Sequence, residues 1–159
     1  MSNRTAFLTM LSVSEGTSTS KATRNNGYDV IVNGYKQAPE VFSDYSTHPF
    51  ANGRAPKVVN SKGLKSTASG RYQHLVGDWE HYKALLQLPD FGPESQDKWA
   101  LQLIRERGAL PDIDAGNIAK AISRCNNIWA SLTGAGYGQP EHPLEYLLSA
   151  YQKAGGQLA

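Results

Sequence analysis

The chain of 159 residues carries 16 Lys and Arg against 14 Asp and Glu, a formal charge of +2, with 40% hydrophobic residues. That balance fits one packed domain, and it speaks against disorder and against a histone-like nucleic-acid binder. Cys125, the one cysteine, allows no internal disulfide, and no apolar run nears the roughly 18–20 residues needed to cross a bilayer.

The N-terminal stretch MSNRTAFLTMLSVSEG lacks the long apolar core and small-residue cleavage site of a signal peptide, so synthesis in the cytoplasm without export is expected. The same stretch predicts a helix from about Asn3 to Glu15. Phe7, Met10, Leu11 and Ser14 fall at i, i+3, i+4 and i+7, and Gly16 is a suitable stop. YDVIVNGY follows and reads as a strand, with Asn33-Gly34 as a tight hairpin turn and a return strand through Val41, Phe42 and Tyr45. Residues 46–69 are rich in Pro, Gly, Asn and Ser and read as loop. Helical periodicity then returns. Leu75, Trp79, Tyr82 and Leu86 form a stripe within Arg71–Leu88, and Trp99, Ala100, Leu103 and Ile104 form another between Pro93 and Arg107. Ile118, Ala121 and Ile122 mark a shorter helix. Leu144, Leu147, Leu148 and Tyr151 mark the last, closed by Gly155-Gly156. Few, local strands among helices make α+β the natural class.

Charge is unevenly placed. Between Tyr45 and Gly77 there is no acidic residue, while Arg54, Lys57, Lys62, Lys65, Arg71, His48 and His74 all occur. This is either a field that gathers an anionic ligand or a solvated basic loop. From Cys125 to Pro140 there is no charge at all, and the end of the segment is Gly-rich, which suits a loop lying close to a ligand. The four histidines have no metal-site spacing, and surface positions are expected for them. Cys125 reads as a buried, inert thiol.

Glu15 is the most informative residue. It continues the apolar stripe of its helix, four after Leu11 and eight after Phe7. A carboxylate facing the interior has its charged form penalised, and a carboxyl kept protonated near neutral pH can donate to a leaving oxygen. From periodicity alone, a helix-end glutamate bent out to water is the simpler reading. A helix-ending acid, a small β-element and a Gly-aromatic-Gln helix start together change that weighting.

The segments FLTMLSVSEGT, TRNNGYDVIV, SDYSTHP, LKSTASGRYQ, PESQDKWALQLIRERGALP and CNNIWASLTGAGYGQPEH lie in this order and cover most of residues 6–142. On them the chain resembles the lambda-type phage endolysins, lysozyme-like lytic transglycosylases. The resemblance implies an α+β, lysozyme-like fold, mainly helical, with a small antiparallel β-hairpin lobe flanking a substrate cleft. It implies one catalytic domain over residues 1–159, with a β-lobe at about 27–68 and a helical lobe at 1–16 and 70–156. The tip 35–41, the loop 50–63 and the short C-terminus depart from the family pattern.

Position by position, the resemblance makes Glu15 the catalytic acid. Tyr72 and Gln73 in GRYQ would touch the glycan, with Ser69 and Arg71 beside them. Tyr137 and Gly136 in GAGYGQ would lie on a loop over the sugar, and Asp29 in GYDVIV on the hairpin. Asp29 is either a second carboxylate or a structural group paired with a buried cation such as Arg124; the structural role is favoured. The implied reaction needs no metal and no cofactor: Glu15 acts as acid and then base, and the C6 hydroxyl of N-acetylmuramic acid attacks its own anomeric carbon. Alternatives are a hydrolytic muramidase on the same fold and a silent peptidoglycan-binding module. Peptidoglycan glycan strands are the implied partner, with a holin as functional partner. No nucleic-acid partner, no membrane insertion and a monomer are expected. The implied location is the host cytoplasm, with action on the wall once the membrane is permeabilised.

Overall fold

A computed structural model describes residues 2–136, 138 and 140–159. Helix α1 spans Asn3–Ser14. The Ser2 hydroxyl accepts from the Thr5 amide at 3.1 Å and so caps the first turn. Ala6, Phe7, Met10 and Leu11 are buried, as the stripe predicts. Glu15 is the C-terminal cap and its amide donates to the Leu11 carbonyl at 2.9 Å. Gly16 then turns the chain at φ 75°; an added Cβ would meet nothing within 4 Å, so backbone conformation alone requires glycine there.

The chain divides into two compact units. Residues up to Glu15 join 100–159 in the first, where α1 packs on α6 (Leu144–Lys153) and α4 (Leu110–Asp114), and α4 packs on α5 (Ile118–Cys125). Its core includes Phe7, Leu11, Ile113, Ile122, Leu147 and Tyr151. Cys125 is fully buried, and burial pushes its thiol up to about 12.

Residues 16–99 form the second unit. Strand β1 (Val30–Ile31) pairs antiparallel with β2 (Glu40–Val41), Val30 opposite Val41. The hairpin is real but Asn33-Gly34 does not close it. Neither residue has a positive φ; instead the Val32 amide bonds the Ala68 carbonyl and the Tyr35 amide bonds the Val58 carbonyl, so residues 32–39 form a wide connection. The stretch expected to be loop contains a second hairpin, β3 (Lys57–Val58) against β4 (Lys65–Ser66). Asn60 organises its turn, its Oδ1 accepting from Lys62 and Leu64 amides.

The expected helix from Arg71 starts late. A 3₁₀ turn at Val76–Asp78 leads into α2 (Trp79–Leu86), and Leu75 is 48% exposed. Residues 69–74 form a tight turn closed by the Ser69–His74 bridge. Helix α3 (Pro93–Glu106) follows the periodicity; the boundary between the units falls within it. Among the described residues no helix is long and apolar enough to cross a membrane.

Two histidines expected at the surface are buried in the second unit. His74 stacks on Trp99 at 4.0 Å, with Trp79 and Tyr82 on the same indole. His48 Nε2–H donates to the His74 carbonyl at 2.8 Å, and its Nδ1 accepts from the Phe50 amide. Burial pushes His48 down to about 4 and His74 down to about 3. The basic stretch is correspondingly muted: these rings are neutral at pH 7, Arg54 and Lys57 both pair with Glu40, and Arg71 is buried. In the unfolded chain the histidines protonate near 6.5, so stability is flat with respect to them at higher pH. Below 6.5 the unfolded state takes protons the fold cannot, and stability is lost down to the folded value. Between pH 6 and 5, urea unfolding of His48→Gln should show a shallower acid loss than wild type, by about 1.4 kcal/mol per pH unit.

Candidate active site

Within the first unit, α1 brings Ser14 and Glu15 to its end, and the segment after α5 brings Ser131 to them. Glu15 is half-buried. Desolvation raises its carboxyl to about 7, partly opposed by the Ser131 hydroxyl, which lies 3.4 Å from Oε2. The Ser14 and Ser131 hydroxyls are 2.7 Å apart. His142 holds both residues by their backbones: its Nε2–H donates to the Ser14 carbonyl and its amide to the Ser131 carbonyl, each at 2.9 Å. The ring stacks on Tyr146 at 4.7 Å. Glu141 latches the Gly-rich loop, its two oxygens accepting from the Gly134 and Gly136 amides at 2.9 and 2.8 Å. Gly136 therefore shares this unit with Glu15. Tyr137 lies outside the described residues.

In the second unit, Ser69, Arg71, Tyr72 and Gln73 form one turn rather than the start of a helix. Gly70 and Gln73 take φ 82° and 56°. A Cβ on Gly70 would lie 2.3 Å from Gln96 Oε1, which accepts from the Arg71 amide at 2.9 Å. Gln96 Nε2 donates to the Tyr28 and Phe91 carbonyls, so both polar atoms of this fully buried amide have partners. Gln73 is half-buried and its Nε2 donates to the Gly70 carbonyl at 2.9 Å. Thr17, two residues past Glu15, is anchored here: its hydroxyl donates to the Arg71 carbonyl at 2.6 Å.

Ser69, Arg71 and Tyr72 are buried. Arg71 Nη1 donates to the Tyr72 and Tyr28 hydroxyls, which both donate to Asp97 Oδ1, at 2.5 and 2.9 Å respectively. A guanidinium and a carboxylate are thus joined through two phenols. Burial first, then the Asp97 charge, raises both tyrosines above the ordinary phenol range.

Asp29 is 3% exposed and accepts from the Thr23 hydroxyl at 2.5 Å and the Arg24 amide at 2.9 Å. Arg124 is not its partner; that guanidinium binds Asp112 at 2.9 Å. Donors five and six residues away satisfy Asp29 locally, so no distant cation is needed. Ser131, His142, Glu141 and Gln96 were missed in the sequence. The usable signal was Glu141-His142 directly after a charge-free, Gly-rich run. Because Asp29 serves its own loop, Asp29→Asn should lower stability by about 1–3 kcal/mol in thermal unfolding. Wall-clearing activity per folded molecule should be kept; a stable but inactive variant would contradict this role.

The endolysin family model matches residues 5–158. The endolysin of Escherichia phage P2 is 64% identical over 97% of this chain and 93% of its own length. That of Escherichia phage lambda is 55% identical over 96% and 91%. Bacteriophage lambda lysozyme in complex with a chitohexasaccharide superposes with a TM-score of 0.89 at 54% identity, over 99% of this chain and 96% of that one. A second structure of lambda lysozyme gives 0.85 at 52% identity over the same shares. The α+β, lysozyme-like architecture is therefore shown, and the chain belongs to the endolysin family.

Proposed function

We propose that this endolysin cleaves the β-1,4 bond between N-acetylmuramic acid and N-acetylglucosamine by lytic transglycosylation, with Glu15 as acid and then base. The single observation that supports it most is the Glu15 carboxyl held near 7 by burial. At neutral pH a large fraction is protonated, and the same group is a competent base once it has given its proton away. The glycan substrate is supported by the chitohexasaccharide bound to lambda lysozyme.

In the first step the Glu15 proton passes to the glycosidic oxygen as the C1–O bond breaks. In the second, the muramic C6 hydroxyl attacks C1 and its proton returns to the Glu15 carboxylate. The product is a 1,6-anhydro end and no water is consumed. Orientation of the hydroxyl carries much of the barrier reduction. Gln73, half-buried and fixed by Gly70, is the proposed glycan contact of the second unit, while Ser69, Arg71 and Tyr72 hold its turn from beneath. Gly136, on the latched loop, is a further proposed contact, and Tyr137 is proposed as another from its place in GAGYGQ. A hydrolytic route usually uses a second carboxylate; the burial and local bonds of Asp29 favour the route without one. Action after membrane permeabilisation by a holin, as a monomer, completes the proposal.

Digestion of purified peptidoglycan followed by mass spectrometry should give muropeptides lighter by one water than hydrolytic products. Reducing muramic ends would make the enzyme a muramidase, and binding without cleavage would make it a silent module. Glu15→Gln should lose on the order of 10²–10⁴ in rate while keeping its fold. Since the acid form is required first, kcat/KM should fall as pH rises through about 7.

A further inference from the structure

We propose that the paired hydroxyls of Ser14 and Ser131 are positioning groups for Glu15, a two-proton relay that satisfies its carboxyl in both of its catalytic states. The inference rests on the reading of Glu15 as acid and base. It starts from proton counting. Each hydroxyl has one proton, and the 2.7 Å contact between them uses one of the two. When Ser131 donates to Glu15 Oε2, Ser14 must be the donor to Ser131. The chain then runs Ser14 to Ser131 to carboxylate. When Glu15 is protonated in the free enzyme, the same heavy atoms serve the reverse chain, in which Oε2–H donates to Ser131 and Ser131 donates to Ser14; a half-turn of the carboxyl about Cγ–Cδ then presents the proton to the glycosidic oxygen and returns a bare oxygen to Ser131. Two hydroxyl rotations interconvert the arrangements, with no change of partner.

The backbone around the pair is suited to this. Both serines are fixed by one residue, since His142 bonds the Ser14 carbonyl through its ring and the Ser131 carbonyl through its amide. Ser14 is 4% exposed, so water does not readily replace its hydroxyl. The 3.4 Å separation from Oε2 is at the long end for a hydrogen bond and leaves room to shorten when the carboxylate forms. A donor that tightens on the anion lowers the cost of the intermediate state in which Glu15 has lost its proton.

The neighbouring charged groups are otherwise engaged or exposed. The Glu141 carboxylate is bound to the Gly134 and Gly136 amides. On the helices packed against α1, Asp114 pairs with Arg4, Asp112 with Arg124 and Lys120, Glu145 is exposed, and Lys153 lines a groove with Thr9 and Val13. His142 bonds the Ser14 carbonyl through its ring and stacks on Tyr146.

The test is the pH dependence of kcat/KM on peptidoglycan, with carbon-13 NMR titration of the Glu15 carboxyl in the free protein. Ser131→Ala should move the Glu15 titration and the basic limb to higher pH and lower kcat about tenfold. Ser131→Thr, which keeps the hydroxyl, should restore both. Adding Ser14→Ala to Ser131→Ala should change neither further, because the relay is already broken. Loss of activity with an unmoved titration, or additive effects of the two alanines, would overturn the relay and leave a packing role. Retained activity in Glu15→Gln would instead overturn the reading of Glu15 itself, so the two failures are separable.

Discussion

One buried amide, that of Gln96, sets the geometry on which the second unit depends. Its oxygen takes the Arg71 amide and its nitrogen serves the Tyr28 and Phe91 carbonyls. The oxygen also occupies the space a side chain at residue 70 would need, so Gly70 and the left-handed turn to Gln73 follow from it. The interaction is neutral, and both N–H donors and the oxygen have partners. A buried polar group in that condition specifies one arrangement strongly, because any other leaves donors unmatched in a dry interior. The orientation of Gln73 is inherited from that arrangement.

The two units handle buried charge in different ways. Around Arg71 the cation is retained and balanced through two phenols against Asp97. Around Glu15 burial outweighs the Ser131 hydroxyl, and the carboxyl is displaced toward its neutral form. The first arrangement keeps its cation hydrogen-bonded within the fold. The second makes the protonation state easy to change near neutrality, which is what proton transfer in both directions demands.

Much of this was legible from residue order, and the misses share a cause. The stripes of α1, α3, α5 and α6 and the position of Glu15 at the end of the first followed from helical spacing. The family resemblance rested on ordered segments such as SEG, GYDVIV and GRYQ. Asn33-Gly34 misled because Val32 and Tyr35 find partners at Ala68 and Val58, far along the chain, rather than across a tight turn. The Arg71 start misled because the Ser69–His74 bridge and Gln96 override local helical preference. Ser131 was illegible for the same reason: its bond to Glu15 spans 116 positions, and no local pattern announces a contact that only tertiary packing creates.

The cap position of Glu15 has an electrostatic meaning of its own. The carbonyl dipoles of α1 sum toward its C-terminus, and the helix has no basic residue in its last turn to neutralise that end. A carboxylate there meets partial negative charge, an effect of about 0.3–1 kcal/mol in exposed helices. The direction of the chain through α1 is therefore itself a source of acidity control: the same side chain at the opposite end of this helix would be a stronger acid and a poorer proton carrier.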